Sequence, residues 1–153
     1  MEKTLEEIAF EINNANSKMI FLVGEFDEFF AHNLAVDFNY SYLDFNSFLK
    51  ENQIDSNLFK GKEKETTIHI SIDKWTQKKA YDEQKGTVLI DGFDLGKIDT
   101  LLTKSLLNRE LIYLSKNSSK LKTNLVFIVD NNNIPLEKQV LPKILDHCTI
   151  IER

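Results

Sequence analysis

The chain has 153 residues, 42% of them apolar, a formal net charge of −5 and a pI near 5.2. This length fits one domain, 1–153, able to bury roughly 68–70% of its unfolded surface without a staple. The acidic balance argues against direct nucleic-acid binding, which draws its affinity from many Lys and Arg contacts to phosphate. Arg109 and Arg153 are the only arginines, so bidentate phosphate recognition has few candidates. The single cysteine, Cys148, excludes an internal disulfide and fits a reducing compartment. The amino terminus lacks a leader pattern and no apolar run approaches about 18 residues. A cytoplasmic protein without a membrane partner is expected.

Thr4-Leu5-Glu6-Glu7 has capping-box form, and Leu5, Ile8, Ala9, Ile12 and Ala15 recur at helical spacing, so an amphipathic first helix is predicted within residues 1–17, running to Asn16. Met19 to Val23 is a short apolar run stopped by Gly24, which suits a strand buried on both faces. Phe26, Phe29, Phe30, Leu34 and Ala35 then follow a period near 3.6, predicting a helix from about Asp27. Tyr40 to Phe45 alternates and reads as a strand, with a short helix over Asn46 to Asn52. The charge run of residues 60–65 reads as a solvated loop, and Thr66 to Ile70 as a brief strand. A polar helix opens at Ile72 and ends near Gly86, which fits a C-cap.

Thr87 to Asp91 is a second buried strand, followed by a helix from Ile98 to Ser115 that is apolar around much of its circumference, as expected of a helix covered by the sheet or by a partner. Leu125 to Asp130 is a third buried strand, Pro135 opens a helix reaching Leu145, and Thr149 to Ile151 reads as the last strand. Apolar strands alternating with helices predict an α/β fold, a three-layer parallel sheet with helices on both faces.

Val23 to Ala31 sits where a phosphate-binding loop would be expected. In G-x-x-x-x-G-K-[ST], glycines let backbone N–H groups wrap the phosphates, the lysine supplies charge and the hydroxyl holds Mg²⁺. Aligned on Gly24, the last three positions are Phe29, Phe30 and Ala31. Glu25, Asp27 and Glu28 add carboxylates where a triphosphate would lie, and like charges about 4 Å apart repel by about 4 kcal/mol at an effective dielectric near 20.

The order of elements resembles the α/β core of AAA+ ATPases over residues 18–153. Gly24 then stands in the Walker A turn, and Val88-Leu89-Ile90-Asp91 is similar to a Walker B strand whose aspartate supports Mg²⁺. The glutamate that would follow it is Gly92, with Asp94 two places on, and Asp130 or Asn131 would occupy the polar tip of the sensor strand. The tail from Val140 to Ile151 is similar to the clamp-loader segment that reads roughly I-L-P-T-I-x-S-R-C, with His147 in place of the arginine finger. An AAA+-like core without the helical lid that follows the last strand in that family is expected. Small P-loop proteins of BREX phage-exclusion systems, which share a compact lidless organisation, are a second resemblance.

The resemblance implies a vestigial nucleotide site at Gly24, Asp91 and Asn131, with no catalytic residue and no cofactor. It also implies protein contacts through Glu25, Phe26, Asp27, Phe29, Phe30 and His147. The expected function is a nucleotide-independent AAA+-like module, an assembly or regulatory subunit of a larger, DNA-processing or other complex, with protein partners that include further copies of itself. The alternative is an unorthodox P-loop NTPase using ATP and Mg²⁺, with Asp91 as metal ligand and a lysine such as Lys18 replacing the missing one.

Simpler readings stand beside these. Gly24 fits a left-handed turn without a ligand, and Phe29 and Phe30 fit core positions. Glu25, Asp27 and Glu28 fit a helical first turn facing the dipole, or a cluster of oxygens for a hard cation. Asp91 fits a turn cap. The three histidines have no zinc spacing, and Cys148 reads as an inert, partly buried thiol.

Overall fold

A computed structural model describes residues 2–51, 72–93, 101–130 and 146–153. The expected charged loop at 60–65, the strand at 66–70, Asp94, and the helix opened by Pro135 lie outside the described residues, as does Asn131.

The described elements are α1 (Leu5–Asn13), β1 (Met19–Gly24), α2 (Phe30–Phe38), β2 (Ser41–Asp44), α3 (Phe45–Glu51), α4 (Ile72–Glu83), β3 (Thr87–Asp91), α5 (Leu101–Lys116), β4 (Asn124–Asp130) and β5 (Thr149–Glu152). The five strands form one sheet in the order β2-β3-β4-β1-β5, and every pairing is parallel.

The expected α/β architecture is present, and its cause is visible in the pleat. Ile20, Leu22, Leu89, Val126, Ile128 and Ile151 point to the face covered by α1 and α2. Their alternating neighbours, among them Phe21, Val88, Ile90 and Phe127, point to the face covered by α3, α4 and α5. A sheet covered twice needs continuous apolar runs, which is why β1 is buried at all six positions. On the second face Phe21 stacks on Phe127 at 5.2 Å between ring centroids, and Phe93 meets Phe127 edge-on at 5.0 Å. Leu111 and Leu114 of α5 are buried in the same core, while Tyr113 faces outward. Among the described residues no helix is long and apolar enough to cross a membrane.

Several boundaries move. The predicted capping box forms, with Glu7 N–H donating to Thr4 Oγ1 at 3.2 Å and Thr4 N–H donating to Glu7 Oε1 at 3.4 Å. Helix α1 nevertheless ends at Asn13: Asn14 N–H still donates to the Phe10 carbonyl at 3.1 Å, but Ala15 N–H turns to the Ile12 carbonyl, three residues back, at 3.3 Å. Helix α2 begins at Phe30 and not at Asp27. The Asp27 carboxylate accepts from Phe29 N–H at 2.9 Å and the Asp27 carbonyl from Phe30 N–H at 3.2 Å, a side-chain turn that competes with the helix. Glu25, Asp27 and Glu28 therefore precede the helix and do not form its first turn.

At the end of α4 the left-handed residue is Gln84, at φ 56°, and not Gly86. Gln84 N–H donates to the Tyr81 carbonyl and Lys85 N–H to the Ala80 carbonyl, the two bonds of a Schellman cap.

Candidate functional site

In a parallel α/β sheet the carboxyl ends of neighbouring strands open a crevice where their onward connections diverge. Here β1 leads through α2 to β2 at one edge, while β4 leads in the opposite direction, across β1, to β5. The divergence lies between β1 and β4, whose ends Gly24 and Asp130 are register partners. The next ends along the same edge, Asp91 and Asp44, also pair.

Gly24 is buried at φ 158°, so it is not the expected left-handed turn. Both this positive backbone angle, which side-chain-bearing residues rarely adopt, and close packing require a glycine. A Cβ there would lie 2.9 Å from Arg153 Cβ and 3.3 Å from the Phe26 ring. The chain then folds back over the crevice, with Phe26 N–H donating to Asp130 Oδ1 at 3.4 Å. The Phe26 and Phe30 rings pack with centroids 4.5 Å apart. The Arg153 guanidinium lies 4.6 Å from the Phe30 centroid and 5.9 Å from that of Phe26.

Arg153 is a junction that sequence reasoning did not single out. Its backbone N–H extends the sheet by donating to the Val23 carbonyl at 2.9 Å. The side chain reaches the carbonyls of Lys3 at 3.4 Å and Glu25 at 3.5 Å, and pairs with Glu2 at 3.7 Å. The only signal available was its rarity as one of two arginines; the contacts span most of the chain.

Phe30 is buried in the core beneath α1 and α2, as its spacing implies. Phe29 is 61% exposed, against the expectation of a core position. The 3.6 period holds for Phe26, Phe30 and Leu34, and Phe29, placed just before the helix by the Asp27 turn, faces outward. Glu25, Asp27 and Glu28 are exposed around it.

Asp91 accepts from the Tyr42 hydroxyl at 2.8 Å and from Gly92 N–H at 2.9 Å. It thus caps the turn after β3, where Gly92 is left-handed at φ 68°. Tyr42 stacks on His32 with centroids 4.0 Å apart. Its phenol is held above the ordinary tyrosine range by burial first, then by the hydrogen bond to Asp91 and the charges of Asp91 and Asp44. Tyr42 too went unnoticed, because only the register of β2 against β3 brings it to Asp91. Among the described residues no three His, Cys, Asp or Glu side chains are arranged to hold a metal ion.

Two expected groupings are not brought together. Lys18 precedes β1 and donates to the Leu121 carbonyl at the amino-terminal edge. Six residues at about 3.3 Å each separate that edge from Gly24, about 20 Å, too far for one lysine to serve both. His147 also lies at the amino-terminal edge, where its carbonyl accepts from Ser17 Oγ at 2.6 Å and Ser118 Oγ at 3.3 Å. It therefore stands at the opposite end of β1 from the Gly24 turn, about 20 Å away along the strand. Cys148 beside it is half-buried, and burial pushes its thiol up to about 11, as fits an inert group.

No protein-family model matches the chain, and no curated protein matches it in sequence.

Proposed function

We propose that this chain is a nucleotide-independent α/β module, related in architecture to AAA+ cores, that works by protein contact as an assembly or regulatory subunit. The observation that carries the reading is the fate of the backbone donors after β1. In a phosphate loop such N–H groups are left open to the ligand. Here Phe26 N–H is directed at the Asp130 carboxylate and Phe29 N–H at the Asp27 carboxylate, which supports a turn whose donors are taken up by the chain's own anions. The Phe26 and Phe30 rings and the Arg153 side chain pack over the same turn. The exposed Phe29, Glu25 and Glu28 next to it suit a contact with another protein better than a polyanion.

Calorimetric titration of the nucleotide-stripped protein with ATP and ADP in millimolar Mg²⁺ tests this. The expected result is no saturable heat. Saturable binding that disappears in Asp91→Ala would overturn the reading in favour of an unorthodox P-loop nucleotide-binding protein.

A further inference from the structure

Two exposed aromatic residues stand in surfaces of opposite charge at opposite corners of the fold. On the outer face of α1, Phe10 is 69% exposed in a shallow depression of about 460 Å³ lined also by Glu6, Glu7, Glu11 and Lys3. Lys3 is engaged by Glu11 at 2.8 Å, which leaves an excess of carboxylates around the ring. On α4, Tyr81 is 84% exposed beside a depression of about 570 Å³ lined also by Lys85, Lys122 and Asp82. Lys78, exposed one turn earlier, points to the same side as Tyr81, since positions three apart are neighbours on a helix. Three ammonium groups thus surround this ring against one carboxylate.

We propose that copies of this chain associate head to tail, the Phe10 face of α1 on one copy seating on the Tyr81 face of α4 on the next. The inference rests on the assembly reading above and names its partner as a second copy. A second copy is the occupant because both halves of the match, an aromatic among carboxylates and an aromatic among lysines, lie on one chain. A net charge of −5 disfavours contact between acidic faces, and charge complementarity favours seating an acidic face on a local basic one. Helix α1 packs against β5 and α4 against β2 and β3, from opposite faces of the sheet. Since β5 and β2 are the two edges, the surfaces occupy diagonal corners. Contact between unlike surfaces is heterologous and repeats into a ring or an open filament.

The test is sedimentation velocity across concentrations into the millimolar range, at low and high salt, with folding followed by circular dichroism. The wild-type chain should form concentration-dependent oligomers that weaken with salt. Phe10→Ser, which removes the aromatic from the α1 face only, and Tyr81→Ser, which removes it from the α4 face only, should each remain a 17.8 kDa monomer. Their equimolar mixture should form a dimer that grows no further, since each variant keeps the face the other lacks. Glu6→Ala and Lys122→Ala form a second pair should either first variant fail to fold. A wild type monomeric at all concentrations, variants that associate like the wild type, or a mixture that stays monomeric would each overturn the proposal. Nucleotide titration reads the assembly module separately: a monomer that ignores ATP leaves that reading standing with a different partner.

Discussion

The Tyr42 hydroxyl, from β2, donates to Asp91 Oδ2, from β3, at 2.8 Å, so two neighbouring strands are tied at their carboxyl ends by side chains as well as by the ladder. Tyr42→Phe removes this bond to a charged acceptor at a half-buried site and is expected to cost about 1.5 kcal/mol, the low end for such bonds because water partly reaches the site. Burial and the Asp91 charge keep the phenol protonated in the folded chain above the ordinary value of 10.0, while the unfolded chain ionises there. Stability from this group is full below pH 10.0 and is lost as pH rises beyond it. In an ultraviolet titration Asp91→Asn should bring Tyr42 ionisation down. Tyr40, raised mainly by burial and bonded to Asn13, should not move.

Gly24 and Arg153 interlock, with only 2.9 Å between a Cβ at position 24 and Arg153 Cβ. Gly24→Ala should destabilise by roughly 1–3 kcal/mol through overpacking. The part of that loss due to Arg153 Cβ should vanish in an Arg153→Gly background, while the cost of a side chain at φ 158° and the Phe26 contact remain. Arg153→Ala alone keeps the Cβ that faces Gly24, introduces no clash, and loses only the guanidinium over Phe30, at about 1 kcal/mol. Urea denaturation of the four chains closes the cycle; strict additivity between positions 24 and 153 would contradict the packing role given to Gly24.

Glu110 of α5 accepts from Ile72 N–H at 3.1 Å and so caps α4 from a neighbouring helix. Burial, the largest influence, raises its pKa above 4.5, and Asp73 adds repulsion while hydrogen bonds from the Ile72 and Asp73 backbone oppose. Between 4.5 and the raised value the folded chain holds a proton that the unfolded chain has lost, so this group's contribution falls as pH rises through that window. Glu110→Gln should abolish that part of the pH dependence. Compared with the wild type, its melting temperature should therefore be more favourable at neutral pH than at pH 4.

Gln84 adopts φ 56° at the carboxyl end of α4, a conformation that costs a side-chain-bearing residue about 1–2 kcal/mol. Gln84→Gly relieves that cost and adds back about 0.5–1 kcal/mol of backbone entropy. A net gain of up to about 1 kcal/mol is expected in thermal unfolding, whereas Gly86→Ala, which meets nothing within 4 Å, should change little.

Among the described residues the order of elements, the parallel sheet and its two apolar faces were legible in the sequence, because burial on both sides of a strand demands runs such as Met19 to Val23 and Leu125 to Val129. Helix ends were less legible, since Asp27 and Gln84 decide them through local bonds that compete with the periodic signal. The candidate site depended on distance in space. The meeting of Tyr42 with Asp91 requires the β2–β3 register, and the closing of the Gly24 turn by Arg153 and Asp130 requires β5 and β4 on either side of β1. Periodicity records what each residue buries, and so the sequence alone determined the layers. Which side chains meet at the strand ends depends on strand order and register, which only the tertiary structure decided.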